Sequence, residues 1–258
     1  MGESIRAVER ALDVLMCFTS QTPELSMTEI SEMVGLNKST VHRVLATLEG
    51  KHFLERDRVT GVYRPGIRIV QLAFLTLEHN DVRRLASPFL HNLCDRYHEN
   101  VNLTVLEDTD VVYLDVIEGS QRVKLAAAPG QRLPAFCTAS GKAILAFLPE
   151  DQVNNILARG MPMHTKNTLT TLKAFYDDVC LTRERGYAIS EQEFEDGINA
   201  IAAPICNRPI ASVSIAGPAY RLTRERMIEL GPDLLKATNN ISKEVEMTNG
   251  FSKNKMVV

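Results

Sequence analysis

Two groups of residues in this chain are of types that do chemistry. The first gathers cations and hydroxyls, Lys38, Ser39, Thr40, His42, Arg43 and Thr47, into one short run. Cations neutralise phosphate oxygens, and hydroxyl and guanidinium groups read base edges by hydrogen bond. The second group is Cys137, Thr138, Ser140 and Lys142, a thiol, two hydroxyls and an amine. Nucleophilic catalysis there would need a base set against the thiol or the serine. Ser140-x-Lys142 is not the Ser-x-x-Lys spacing of acyl enzymes, and no motif places a His or Asp beside Cys137. Catalysis is therefore not expected. Binding remains, because Thr138 and Ser140 open a helix whose free N–H groups suit an anion. Against that stands plain N-capping by Thr138.

The first group needs a scaffold, and the flanking sequence supplies one. Ile5, Val8, Leu12 and Leu15 recur at spacings of three and four, which predicts an amphipathic helix over 4–19 with those residues on one face. A short helix follows over 28–34, with Ser26 and Glu29 as its capping box and Gly35 ending it. Asn37 caps a helix over 38–49 that turns Val41, Val44, Leu45 and Leu48 inward and the polar set outward. Phe53 to Pro65 reads as two short strands around a turn ending in Gly61, a wing. A helix, a glycine turn, a second helix with a basic hydroxyl-rich face and a wing make a winged helix-turn-helix. The alternative is a three-helix bundle used for protein contacts.

The formal net charge of −3 does not point to nucleic acid. Locally the balance differs. Residues 37–68 hold Lys38, Arg43, Lys51, Arg56, Arg58, Arg64 and Arg68 against Glu49, Glu55 and Asp57, seven less three, or +4. Phosphate binding depends on that local patch. The DNA-contacting set is Lys38, Ser39, Thr40, His42 and Arg43 on the reading helix, Ser26 and Thr28 before it, and Arg58 and Arg64 on the wing. Cys17, Cys94, Cys137, Cys180 and Cys206 are odd in number, scattered and without a CxxC pair, so neither disulfide nor metal site is expected. None has a basic residue beside it, which argues against the rival reading, a redox-sensing regulator. No apolar run reaches the ~20 residues of a membrane span. A cytoplasmic protein with no cofactor is expected.

Ile67 to Leu77 is apolar nearly all round, which predicts a linker helix packed on a partner chain or covered by the rest of its own. A second domain begins near residue 79 with a helix carrying Leu85, Phe89, Leu93 and Tyr97. Strands are predicted over 101–106, 111–117 and 123–127, helices over 138–148, 150–159 and 172–185, and strands over 201–206 and 210–215. A last helix over 223–247, interrupted at Gly231-Pro232, precedes a polar tail. The fold class is α+β, with domains 1–65, 66–79 and 80–248 and the tail 249–258.

Four stretches, LNKSTVHRVLATLE, YRPGIRIVQLA, PGQRLPAFCTASGKAILAFLP and GINAIAAPI with SIAGPAYRLT, occur in an order that resembles the IclR family of bacterial transcriptional regulators from about Ser4 to Met247. The resemblance implies a winged helix-turn-helix, a dimerising linker helix and a GAF-like effector-binding domain. Its partners would be double-stranded operator DNA, a small effector and further copies of the chain, as a dimer or a dimer of dimers. The implied pocket takes Leu133, Phe136, Thr138, Ala139, Ser140 and Gly141 from one segment. From elsewhere it takes Leu125, Ser190, Ala200, Ile201, Ser212 and Ser214. In family members that sense small 2-oxo acids, four polar pocket positions match Ala200, Ser190, Ser214 and Ala216, of which Ser214 alone keeps the residue type. A larger or more apolar effector, aromatic with one acidic group, is implied. Ser212 and Ser214 share one strand face, and their hydroxyls meet either a ligand or neighbouring backbone.

Overall fold

The computed structural model describes residues 5–19, 21–78, 81–205 and 211–253. Cys206, Ile210, the turn expected around Pro209 and the end of the polar tail lie outside them. The chain divides into two compact units, Met1–His79 and Asn80–Val258.

The first unit runs α1 (Arg6–Met16), α2 (Met27–Met33), α3 (Lys38–Gly50), β1 (Leu54–Arg56), β2 (Tyr63–Pro65) and α4 (Ile67–Glu78). The starts of α2 and α3 are set by side chains, as the sequence predicts. Ser26 and Glu29 form the capping box at 2.7 and 3.3 Å, and Asn37 accepts the Thr40 N–H at 2.9 Å. Gly35 carries the left-handed φ of +64° between α2 and α3, which a β-carbon would oppose. In the hairpin Asp57 Oδ1 takes the N–H groups of Val59 and Thr60, and Gly61 closes the turn at φ +76°. Val14, Ile30, Val41 and Leu45 are wholly buried at the centre, over Leu54 and Tyr63.

The apolar face marked on α1 is mostly exposed. Ile5, Val8 and Leu12 are more than half exposed, and the helix buries Val14 with half-buried Ala11 and Leu15 beside it. α1 is apolar on two sides, and the small core of this unit uses only one. The α4 helix likewise leaves Ile67, Val70, Leu72, Phe74 and Leu75 exposed.

The second unit runs α5 (Asp81–Tyr97), β3 (Asn100–Glu107), β4 (Asp110–Ile117), β5 (Arg132–Pro134), α6 (Ala139–Leu145), α7 (Glu150–Leu157), α8 (Leu172–Arg185), β6 (Ala188–Glu191), β7 (Ile198–Ile205), β8 (Ala211–Pro218) and α9 (Arg224–Lys253). Its sheet has the order β5-β4-β3-β8-β7-β6, antiparallel throughout. Alternation with period two gives the sheet two different faces. Val101, Leu103, Ile201, Ala203, Val213 and Ile215 point to one side, where α5 and α9 cover them in the largest core cluster. Asn102, Thr104, Ser212, Ser214, Ala200 and Ala202 point to the other, where α6 lies.

Three expectations are corrected. Residues 123–127 form no strand; Val123 is exposed and the segment has no ladder partner, whereas Arg132–Pro134 pairs with β4. β6 was not expected and closes the far edge. The last helix is continuous from Arg224 to Lys253 across Gly231-Pro232. Packing holds it there: a β-carbon at Gly231 would stand 2.5 Å from the Tyr187 ring, so glycine lets the helix lie directly on that aromatic.

Candidate functional site

Two surfaces carry the chemistry, one in each unit. On the first, α3 presents Lys38, Ser39, His42 and Arg43 to solvent, with Thr40 half-buried beside them. Ser39 donates to Asn37 Oδ1 at 2.8 Å, which ties that hydroxyl to the cap. Thr28 is exposed on α2, while Ser26 spends its oxygen on the capping box. Arg58 is exposed on the hairpin turn. Among the described residues Lys38, Arg43 and Arg58 make no ion pair, so their charges face solvent uncompensated. Arg64 differs: it is bound to Glu55 at 3.1 Å and lies 4.0 Å from Glu24. A phosphate would have to compete with those carboxylates for it. Arg56 is likewise engaged, 5.6 Å from the Tyr63 ring centre.

The second surface is interior. Between the polar face of the sheet and the segment 133–140 lies a cavity of ≈ 280 Å³. Eight of the twelve residues expected to bind an effector line it: Leu125, Leu133, Thr138, Ala139, Ser140, Ser190, Ala200 and Ser214. Thr138 caps α6 through Gly141 N–H at 3.2 Å and donates to Pro134 O at 3.0 Å, which accounts for its conformation without an anion. Ser190 donates to Cys137 O at 3.4 Å, and Ser214 accepts from Asn102 Nδ2 at 3.3 Å.

Four expected residues are not in the wall. Ile201 follows Ala200 directly on β7, and adjacent strand residues cannot share a face; its side chain belongs to the α5–α9 core. Ser212 is consumed by Thr104 Oγ1 at 2.8 Å and Ser140 O at 3.2 Å, the neighbour bonding that stood as the alternative. Phe136 packs with Ile144, Leu145 and Phe175. Gly141 faces the preceding turn, where a β-carbon would stand 2.1 Å from Ala135 O.

The sequence reading missed much of the remaining wall, notably Tyr113, Lys124, Gln131, Cys137 and Phe194, whereas Ala216, matched to a pocket position by the family resemblance, is in it. Alternation along β4 from the buried Val111 was the available signal for Tyr113. Burial pushes its phenol up to about 12, so it stays a neutral donor. The same cause pushes the Cys137 thiol up to about 12 and raises Cys17 and Cys94. These are not the low-pKa thiols that oxidative sensing needs.

Behind the cavity wall α6 carries a wholly buried cation. Lys142 Nζ donates to Ile189 O at 2.7 Å and Glu193 Oε1 at 2.5 Å, and Asp178 lies at 3.0 Å. An ammonium so engaged is no general base for Ser140 or Cys137. Among the described residues no cluster of His, Cys, Asp and Glu could hold a metal ion. No helix among them is long and apolar enough to cross a membrane.

Comparison with known proteins agrees with this division. Residues 7–58 match the profile of the IclR helix-turn-helix domain, and residues 74–243 match that of the bacterial transcriptional regulator IclR C-terminal domain. The chain is 32% identical over 243 residues to the HTH-type transcriptional regulator XynR of Escherichia coli (strain K12), covering 93% of this chain and 96% of that one. It superposes on the crystal structure of an IclR transcriptional regulator from Alicyclobacillus acidocaldarius with a TM-score of 0.85 at 27% identity, covering 93% and 99%. It also superposes on an IclR homolog from Microbacterium hydrocarbonoxydans crystallised with 4-hydroxybenzoate, with a TM-score of 0.80 at 25% identity, covering 93% and 99%.

The Lys142 cluster yields a pH-dependent expectation. Burial is the main influence on Glu193 and holds its carboxyl above the ordinary 4.5, with Lys142 pulling the other way. A carboxyl whose folded pKa is raised binds its proton more tightly folded than unfolded. Its adverse contribution is therefore full at neutral pH and disappears as the pH falls below its unfolded value. Lys142→Met leaves Glu193 buried without its counter-ion and should cost ~3–5 kcal/mol near neutral pH. Thermal unfolding of wild type and variant at pH 8 and pH 5 checks this, and the gap between them should narrow in acid. A gap of equal size at both pH values would show that Glu193 is not the stranded charge.

Proposed function

The chain belongs to the IclR family of bacterial transcriptional regulators, and from that premise we propose that it binds operator DNA through α3 and the β1–β2 wing under the control of a small organic acid. The observation that carries the reading is the partly enclosed, mixed-polarity cavity on the far side of a sheet whose other face is solid core. A domain needing only stability would fill such a space, because an unfilled interior forfeits contacts on every side.

Lys38, Arg43 and Arg58 would meet the DNA: the first and last on phosphates, Arg43 with Thr40 and His42 on base edges in the major groove. In the cavity Leu125, Ala126, Ala139, Ala200, Ala216 and Phe194 surround an apolar body, and the hydroxyls of Tyr113, Ser140, Ser190 and Ser214 give it polar contacts. That lining suits an aromatic acid of about one ring, and it makes 4-hydroxybenzoate the natural first probe. The protein would work in the cytoplasm as a homodimer, or a dimer of dimers. Exposed apolar stripes on α4 and α1 support self-association, because a stripe of that size seeks a partner.

Three expectations follow, all read from full-length protein. Arg43→Ala should weaken specific operator binding by roughly 1–3 kcal/mol, whereas Arg58→Ala should weaken all sequences alike and flatten the salt slope by about one unit. Gel-shift titrations at several salt concentrations distinguish these, and operator affinity unchanged in Arg43→Ala would remove α3 as the reading helix. Ala200→Phe fills the cavity floor and should abolish the effector's influence, typically ~5–150-fold on affinity, while operator binding without effector survives. Titration with and without 4-hydroxybenzoate and related acids checks it; a full response in this variant would move the effector elsewhere. Leu72→Glu puts a charge into the α4 stripe and should shift the protein toward monomer in sedimentation velocity. An unchanged oligomer would leave α4 without its pairing role.

A further inference from the structure

One wall of the cavity is built differently from the rest. Lys124, Leu125, Ala126 and Ala127 line it from a stretch with no secondary structure, whose outer side is exposed at Val123, Lys124 and Ala126. Upstream, Gly119 is held by its N–H to Asn100 Oδ1 at 3.0 Å. Downstream, Ala128 is held by Gln131 at 3.3 Å and Gly130 by Tyr113 O at 2.8 Å. Between these anchors the backbone of 120–127 makes two hydrogen bonds with described residues, both through its carbonyls to side chains. Arg221 Nη2 donates to Val123 O at 2.8 Å, and Asn100 Nδ2 donates to Leu125 O at 3.0 Å. A Lys124–Glu118 ion pair at 2.5 Å adds a partly exposed third tie.

The two donors are themselves firmly placed. Arg221 forks onto the carboxylate of Glu99, a buried residue, with Nη2 at 2.9 Å from Oε2 and Nε on Oε1. Gly217 leaves room for that carboxylate, since a β-carbon there would stand 2.5 Å from Glu99 Oε2. Asn100 is buried on β3 and bonds both the Gly119 anchor and the strap. Fixed donors therefore grip a segment whose other ties among the described residues are two exposed side-chain contacts, Lys124 with Glu118 and Ser120 Oγ with His98 Nδ1 at 3.1 Å.

We infer that residues 120–127 are a hinged strap over the cavity, that small molecules enter by its local opening, and that Arg221 and Asn100 are the positioning residues that latch it. This rests on the reading of the cavity as the effector site. A segment with so few backbone bonds opens at far lower cost than the sheet it covers. Releasing one charge-assisted latch removes a large part of that cost.

Cys137 gives a way to watch the strap without any effector. It lines the cavity and is wholly buried, so a thiol reagent reaches it only when the wall beside it moves. Cys180 is exposed and serves as the internal reference, while Cys94, buried in α5, reports general loosening. Arg221→Lys keeps the charge against Glu99, but its single ammonium cannot hold Glu99 and Val123 O as the guanidinium does. With methyl methanethiosulfonate and peptide-level mass spectrometry on full-length protein, Cys137 labelling should accelerate on the order of tenfold in Arg221→Lys. Cys180 and Cys94 should keep their wild-type rates. An unchanged Cys137 rate, or equal acceleration at Cys94, would overturn the strap.

The wild type provides a test that no variant can spoil. Opening a strap exposes little surface, so low urea should scarcely change Cys137 labelling while it accelerates Cys94. Equal urea dependence at the two sites would mean that the cavity is reached only by unfolding, and the inference fails. If the labelling behaves as expected while no organic acid alters operator affinity, the strap stands and the effector reading falls.

Discussion

The second unit is organised around one buried charge. Lys142 sits in α6 with its ammonium wholly removed from water, and such a burial is tolerable only when the charge is paired and hydrogen-bonded. Its partners come from three places: the Ile189 carbonyl on the edge strand β6 and Glu193 just beyond it accept its hydrogen bonds, and Asp178 on α8 adds an ion pair at 3.0 Å. Meeting all three fixes α6 in position and rotation. The fix matters because α6 is short and begins at the cavity wall, with Ala139 and Ser140 lining it and Gly141 against the backbone of Ala135. Moving α6 would either strand the ammonium or collapse the cavity.

The sheet accepts this arrangement because its two faces are chemically unlike. Toward α5 and α9 it offers Val, Ile and Leu in a continuous core. Toward α6 it offers Asn102, Thr104, Ser212 and Ser214, whose polar atoms need partners. Thr104 and Ser212 satisfy each other, and Ser212 reaches on to Ser140 O, which clamps α6 to β8. Ser214 and Asn102 pair more loosely, at 3.3 Å, and Ser214 is the one of the two serines that meets the cavity. Two hydroxyls two residues apart on one strand thus divide into a structural one and an available one.

This division shows what the sequence could and could not reveal. Local signals were fully legible: the Ser26–Glu29 capping box, Asn37 before α3, Gly35 at the end of α2 and the hairpin at Asp57–Gly61 depend on residues a few positions apart. The polar face of β8 was legible by parity, but which of its hydroxyls stays free depends on register with β3, more than a hundred residues away. Residues 200–205 are small or apolar on both faces, so composition did not say which side faces the cavity; the pairing of Ala200 with Ser190 and Ala216 does. The exposed apolar face of α1 has a related cause. Hydrophobic periodicity reports that a side seeks burial and does not say whether the partner lies in the same core. Residues 123–127, alternating and apolar enough for a strand, lack only a neighbour to pair with, and pairing is a tertiary property.

The charge distribution is consistent with this separation of roles. A chain of formal charge −3 is repelled by DNA as a whole, so attraction must come from a patch whose cations are left uncompensated. Lys38, Arg43 and Arg58 meet that condition, while Arg64, Arg132, Arg221 and Arg224 are bound to carboxylates. In the second unit paired cations hold structure: Arg132 ties β5 to Glu107 and Asp110, and Arg221 ties the cavity wall to Glu99. An acidic ligand of the kind proposed would therefore meet few unpaired positive charges in the cavity and would have to bind through hydroxyls and apolar contact. Such contacts discriminate by shape more than by charge, which would favour one effector over other acids of similar charge.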